Sequence, residues 1–459
     1  GCSMTGGRYD VVIVGAGTAG CYAAATIADA GYDVVVLERK PESEAGHIAC
    51  GDALKGANTF PEAIPKKEIE SSFTNTDVDR GLFIIPDTDI EVNIPVPGEL
   101  AVIDRLEYGR LLLGAAADAG TTFHYDTVVQ DVSQTTDGTV CGVSATHDGE
   151  RYEYESDLVL DGAGALSLLQ DKTDFSGSRF DTNVRYSQFS SAYREVLTVE
   201  EPVEWDDALV LKPTKRSAGY LWYFPRTSTE INVGLGFQMD EEPMQLVEAL
   251  REDISQQPEF ENAVVKDKLG AALPTRRPYD SAVADGYMAI GDAAAYVNPI
   301  SGGGIAGAAY SGQYAGEQAI RAIEAADYSE EFLWNYNVRV MDHFGGRFAA
   351  LDVYNIFATA HDLNALLELL SVVPPEALSE SLYSGSTNLS LKLKLSILYE
   401  SRDHFGLLKK LYETKQVADE LLAHYDRYPT DPDGFRTWQR ERDRIMDRVY
   451  DTTGAEKKY

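Results

Sequence analysis

The stretch YDVVIVGAGTAG, from Tyr9 to Gly20, constrains the fold more than any other part of the chain. A β-branched strand runs into a GxGxxG turn, an alanine-rich helix is predicted from about Thr18 to Ala30, and a second strand follows over Asp33 to Glu38. In such a βαβ unit Gly15 permits the tight turn, Gly17 lets the backbone approach a pyrophosphate, and Gly20 lets helix and strand pack closely. The free amides of the helix N-terminus then face phosphate oxygens. Glu38 closes the second strand, where a carboxylate accepts from a ribose 2′-hydroxyl and selects an unphosphorylated ribose.

A second glycine-rich segment, GYMAIGDAAAYVNPISGGGIAG, spans Gly286 to Gly307. It reads as a short strand, a turn at Gly291-Asp292, and a glycine run opening a helix of small residues. Asp292 is suited to accept from a sugar hydroxyl, and Gly302 to Gly304 expose amides to an anionic or carbonyl ring edge. A glycine loop followed by a packed helix is the plainer reading of the same residues. Between the two segments, a period-two stretch carries Arg105 into a helix, and the strand ending at Asp161 returns to the first sheet. Residues 178–280 are rich in aromatic and β-branched residues, with a helix near Glu242 to Asp253, and read as an inserted sheet. From about Asp327 the pattern is helical. Gly1 to Met4 are expected to precede the folded part.

At about 150 residues per domain, 459 residues allow two or three domains. The charge is lopsided: 74 Asp plus Glu against 40 Lys plus Arg gives −34. That surface repels a phosphate backbone and excludes nucleic acid as a partner. It also points to a halophile, because salt screens the self-repulsion that otherwise opposes folding. Cys2, Cys21, Cys50 and Cys141 are too irregularly spaced for a disulfide framework or a CxxC metal pair, and the seven histidines show no metal spacing, so no metal is expected. No apolar run reaches the roughly 18 residues of a membrane span, and no signal-peptide pattern opens the chain. Hydrolase motifs are missing, and Gly162-Ala-Gly164 does not complete a second GxGxxG.

Taken as a set, GxGxxG with Glu38 and Arg39, the interior Arg105, Asp161-Gly162 and Gly291-Asp292 resemble the FAD-dependent oxidoreductases of the para-hydroxybenzoate hydroxylase type. Within that superfamily ACGD at 49–52, GYLWYFP at 219–225 and NPISGGGI at 298–305 resemble the geranylgeranyl reductase family. Archaeal members of that family saturate the isoprenoid chains of membrane lipids. The resemblance implies an α/β fold. Its Rossmann-like FAD-binding domain is discontinuous (1–83, 100–177 and 281–326), its antiparallel substrate or cap domain covers 84–99 and 178–280, and a helical region follows at 327–459. FAD contacts are expected at Gly15, Gly17, Ala19, Gly20, Glu38, Arg39, Gly51, Ala53, Arg105, Val128, Gly291, Asp292, Gly304 and Ile305. The family's Asp-Gly-x-x-Ser turn reads Asp161-Gly-Ala-Gly-Ala165 here, with a serine only at Ser167.

An isolated alkene has no carbonyl to hold negative charge, so saturating it calls for a proton donor and an electron-rich wall beside the hydride source. Strand alternation puts Tyr220, Trp222 and Phe224 on one face. Their rings would stabilise passing positive charge by about 0.5–2 kcal/mol each; an aromatic core strand is the alternative. The resemblance puts Cys50 beside the flavin, as proton donor or flavin tuner, where a small buried hydrophobe is the other reading. Cys21 is expected only to pack. The catalytic candidates are thus Cys50, Tyr220 and Trp222, and the substrate contacts Tyr220, Trp222 and Phe224. The implied partners are a prenylated lipid and an electron donor such as ferredoxin or NAD(P)H. An aromatic monooxygenase of the same fold and a non-catalytic FAD- or lipid-binding protein are the rival readings. Finally, Ser390 to Lys415 gathers Lys392, Lys394, Arg402, Lys409, Lys410 and Lys415 against Glu400, Asp403 and Glu413. This basic stretch either meets anionic lipid on the inner face of the cell membrane, from the cytoplasm, or covers apolar surface with lysine stems.

Overall fold

Strand Met4–Val14 is central to an eight-stranded sheet, and its last four residues, Val11 to Val14, are buried. A near-continuous β-branched run of this kind belongs in a parallel sheet covered on both faces. It pairs in parallel with Glu150–Asp161 on one side (Val12 opposite Val159) and Val34–Leu37 on the other (Val12 opposite Val35). The path runs Val283–Ala284, Tyr287–Ala289, Glu150–Asp161, Met4–Val14, Val34–Leu37, Thr122–His124, with Val140–His147 attached antiparallel to Glu150–Asp161 and Val128–Gln134 antiparallel to Val140–His147 in turn. The first strand starts at Met4 rather than near Tyr9, because residues 4–9 pair with Tyr152 to Ser156. The computed structural model describes residues 2–55, 60–95, 100–214, 219–238, 243–361, 363–372, 374, 391–400 and 402–459.

Helix Thr18–Asp29 leaves the glycine turn and packs against helix Ile305–Ala325. The approach is close enough that a Cβ at Gly312 would lie 2.3 Å from the carbonyl oxygen of Ala19. Small residues in both helices therefore bring the two glycine-rich segments, nearly three hundred residues apart in sequence, into one site.

A second, seven-stranded sheet runs Val264–Leu273, Ser190–Thr198, Glu230–Gln238, Gly219–Pro225, Ala208–Pro213, Arg80–Ile84, Glu91–Pro95. Arg80–Ile84, most of which the sequence reading groups with the FAD-binding segments, pairs in parallel with Ala208–Pro213 in this sheet. On one face Leu197, Val233 and Leu235 pack against Leu246 and Leu250 of helix Pro243–Ser255; Glu242 lies outside the described residues. On the other, Leu209, Trp222 and Phe224 meet Leu100 and Val102 of a small third sheet. The remaining described residues are mainly helical: Glu330–Val340 continues through a π-helical turn, Met341–Gly345, into Gly346–Thr359. Leu363–Val372, Leu391–Glu400, Phe405–Tyr425 and Phe435–Thr453 follow. The last helix is fixed to the first sheet's edge by a buried bidentate pair between Arg442 and Asp280.

Candidate active site

One cavity of about 1940 Å³ runs from the GxGxxG turn past the inner face of the second sheet to the C-terminal helices. Its nucleotide-side wall is built by backbone constraint. Gly15 has φ +95°, and a Cβ there would sit 2.2 Å from the carbonyl oxygen of Gly162; one at Gly20 would sit 2.0 Å from that of Gly15. Gly17, by contrast, faces open space. Glu38 is buried, and its Oε2 accepts from the Ala16 amide at 3.1 Å, which holds the carboxylate beside the turn. Arg39, Ala53 and the exposed Val128 line the same cavity, as do Ala19 and Gly51.

At the far side of this wall Gly304 caps helix Ile305–Ala325 with no side chain on its amides. Asp292 lies within 3.3 Å of a Cβ built on Gly304, and burial, offset only in part by Arg105, pushes its pKa up to about 6. Arg105 is itself buried; Nη2 reaches Thr18 Oγ1 at 3.4 Å, and Nε has no partner among the described residues. Asp161 is outside this group. Its buried carboxylate accepts from Tyr287 at 2.5 Å and from Ser167 at 2.7 Å, so the late serine bonds the aspartate and ties the strand end to the sheet.

Strand alternation places Tyr220, Trp222 and Phe224 on the cavity, with ring centroids 5.9 Å and 6.1 Å apart in turn. Tyr223, between them, packs on the opposite face against Trp205 and Phe260. Tyr220 donates to the carbonyl of Ser301, tying the aromatic row to the glycine loop, and burial raises its phenol to about 12. Gly51 runs directly beneath Phe224, since a Cβ there would be 2.9 Å from the ring. Cys50 is half-buried; burial, and then the Asp52 carboxylate, raise its pKa, so the thiol keeps its proton at neutral pH. Cys21 is fully buried, its thiol turned to the carbonyl of Ala16.

Sequence reasoning missed the residues that hold this wall in place. Asn232 accepts the indole N–H of Trp222 at 2.9 Å and donates to the Cys50 carbonyl at 2.8 Å and to Asp52 Oδ2 at 2.7 Å. Asp52, left-handed at φ 68°, is fully buried and paired with Arg226 Nε at 2.7 Å. An asparagine within the hydrophobic strand INVGL and the acid ending ACGD were the available signals.

The glycine cradle, the open space at Gly17, the partly satisfied Glu38 and the unpartnered Arg105 Nε fit a flavin dinucleotide, and they define a dinucleotide-binding flavoprotein. Residues 8–324 match the FAD binding domain family. Digeranylgeranylglycerophospholipid reductase of Sulfolobus acidocaldarius is 27% identical over 451 residues, covering 96% of this chain and 97% of the relative. Digeranylgeranylglycerophospholipid reductase 2 of Methanopyrus kandleri is 30% identical over 377 residues, covering 79% and 90%. The crystal structure of a geranylgeranyl bacteriochlorophyll reductase-like protein from Thermoplasma acidophilum superposes with a TM-score of 0.73 at 22% identity, over 90% of this chain and 100% of that one. The chain belongs to the FAD binding domain family and, within it, to the digeranylgeranylglycerophospholipid reductase family.

Proposed function

We propose that the chain saturates the carbon–carbon double bonds of geranylgeranyl groups on archaeal glycerophospholipids or related prenyl compounds. The observation that carries this reading is the continuity of the cavity, from the glycine cradle past Cys50 and the aromatic row to apolar helix faces. Its 1940 Å³ exceeds the roughly 300–1,000 Å³ of an ordinary ligand pocket, as a dinucleotide and a long chain together require.

Glu38 and Arg39 would hold the adenosine end of FAD, Gly15 to Gly20 the pyrophosphate, Arg105 and Asp292 the hydroxylated linker, and Gly51, Ala53, Gly291, Gly304 and Ile305 the ring system. Bound and reduced, FAD supplies hydride. Cys50 Sγ donates the proton to the other alkene carbon and recovers it before the next turnover. Tyr220, Trp222 and Phe224 offer π faces to the positive charge that protonation creates and keep water from it. Ferredoxin or NAD(P)H would return the electrons.

The C-terminal helices support access from a membrane surface. Among the described residues, five of the eleven strongly exposed large apolar side chains fall within 395–412: Leu395, Leu398, Tyr399, Phe405 and Tyr412. Lys394, Arg402, Lys409 and Lys410 are exposed beside them, while Ile397, Leu408 and Leu411 of the same helices line the cavity. Ser390 and the side chain of Lys392 lie outside the described residues. No helix among the described residues is long and apolar enough to cross a membrane. The arrangement fits a cytoplasmic protein resting on anionic lipid, with the prenyl chain passing inward between the helices.

The test is anaerobic: chemically reduced protein in molar salt is mixed with a digeranylgeranyl glycerophospholipid, and the lipid is weighed. A gain of one H₂ per double bond with flavin reoxidation supports the reading; unchanged lipid over a stably reduced flavin refutes it. Vesicle flotation of K409E/K410E tests the membrane step, and unchanged binding would sink it.

A further inference from the structure

The cavity carries the opposite charge to the protein around it. Among the described residues its lining holds six Lys and Arg, Arg39, Lys40, Arg105, Arg194, Arg347 and Lys415, against two acids, Glu38 and Asp292, in a chain of net charge −34. Several of these cations are accounted for. Arg194 pairs with Asp267 at 2.9 Å, Lys415 with Asp419 at 2.7 Å, and Lys40 donates to the His47 carbonyl at 2.6 Å. Arg39 and Arg105 stand at the dinucleotide end.

Arg347 is different. It sits one residue into helix Gly346–Thr359, directly after the π-helical turn, on a face that lines the cavity with Phe344, Phe348 and Leu351. Its Nε is buried without a hydrogen-bond partner, and no ion pair to it exists among the described residues. Among the described residues its ring contact is with Phe348, at 5.4 Å. His343, one turn earlier, is bonded to the Tyr314 hydroxyl at 2.9 Å; burial, Arg347 and Arg339 hold its pKa down against the opposing Asp342 carboxylate. An arginine among phenylalanines and leucine, in a sequence with carboxylates to spare, is costly unless an anion completes it.

We infer that Arg347 binds the phosphoryl head of the polyprenyl substrate, through the forked contact guanidinium makes with phosphate. The inference rests on the prenyl-reductase reading and adds a specificity residue to it. Anchoring the head at the helical end of the cavity sets how far the chain reaches toward Cys50 and the aromatic row. A partly buried contact of this kind also survives molar salt better than a surface pair.

The experiment compares geranylgeranyl phosphate with geranylgeraniol as substrates of the full-length, FAD-loaded protein, in wild type, R347Q and R347K. The expected result is a fall of at least about tenfold in the ratio of kcat/KM for phosphate over alcohol in R347Q, partly restored in R347K. Arg444→Gln, at an exposed pair with Glu441, leaves the ratio unchanged. Equal losses on both substrates in R347Q would make Arg347 structural and overturn the inference while the reductase reading stands. Failure of wild type to reduce either substrate would instead overturn that reading and this inference with it. Inorganic phosphate separates the sources of the anion: indifference in wild type supports a lipid-borne head, and competition that vanishes in R347Q would assign Arg347 to a free anion and overturn the proposal.

Discussion

Asn232 holds the indole of Trp222 by its Nε1–H at 2.9 Å, and the same side chain reaches the carbonyl of Cys50 and the carboxylate of Asp52. One amide thus joins the aromatic row on the second sheet to the loop carrying the thiol. Replacing it with leucine, of similar branched shape, strands the indole N–H and the Cys50 carbonyl and leaves Asp52 Oδ2 with Arg226 alone. We expect Asn232→Leu to lose about 2–4 kcal/mol of stability and to slow alkene reduction more than tenfold, with flavin still bound. Chemical denaturation and single-turnover reoxidation measure the two effects, and an unchanged reoxidation rate would detach Trp222 and Cys50 from the chemistry.

Gly234 lies directly opposite Trp222 in the sheet, and a Cβ there would come within 2.2 Å of the indole ring. The tryptophan lies flat across its neighbouring strand only because that strand has no side chain at this point. Gly234→Ala should displace the ring and cost about 1–3 kcal/mol, while Gly236→Ala, whose Cβ would find 3.6 Å of clearance, should be mild. Tryptophan fluorescence and thermal unfolding distinguish the pair; equal behaviour would count against the packing account.

Cys50 keeps its proton because its site is buried and Asp52 stands near it. Its folded pKa is raised, so the reactive thiolate is scarce at neutral pH and grows only as pH climbs past the ordinary thiol range. Alkylation by iodoacetamide, followed by peptide mass, should be slower at Cys50 than at exposed Cys2 near neutrality and still rising in strong alkali. Fast labelling at neutral pH would indicate a thiolate and remove the proton donor. With the thiol as acid, Cys50→Ala should slow turnover by about 10²–10⁴.

The nucleotide half of the site was legible because its constraints are local. A tight turn, a close helix and a terminal acid leave a spacing in the sequence, and Gly15, Gly20 and Glu38 stand where that spacing implies. The period of two likewise reported that Tyr220, Trp222 and Phe224 share a face. Asn232, Asp52 and Arg226 were not legible, since their partners lie up to 182 residues away and no local pattern marks a buried polar junction. Arg347 was hidden for a related reason: its interest is the lack of a carboxylate, which only the packed helices reveal.

The acidic surface gives a prediction about solvent. A net charge of −34 repels itself at low ionic strength, whereas at molar salt the Debye length shrinks to about 3 Å. The melting temperature should therefore fall steadily as salt is diluted, with loss of near-ultraviolet circular dichroism. A melting temperature independent of salt would show that the carboxylates are neutralised within the fold and that the composition says nothing about the host.

With Asp292 as the proposed acceptor for a flavin hydroxyl, its titration should set the pH dependence of flavin binding. In the free site burial raises its pKa to about 6, with Arg105 opposing the shift. A sugar hydroxyl donating to this carboxylate favours the ionised form, so binding is strongest above that pKa and weakens as protonation removes the acceptor. The sign follows from linkage: the bound state holds fewer protons, and affinity falls as pH drops through the free-state value. One pH unit below it, near about pH 5, the dissociation constant should be about tenfold larger than at neutrality. Titration of flavin-free protein with FAD, by quenching of flavin fluorescence in molar salt, measures this directly. Asp292→Asn, which keeps an acceptor oxygen but cannot titrate, should bind more weakly at neutrality and lose the pH dependence; retention of the full slope in that variant would assign the titration to another group.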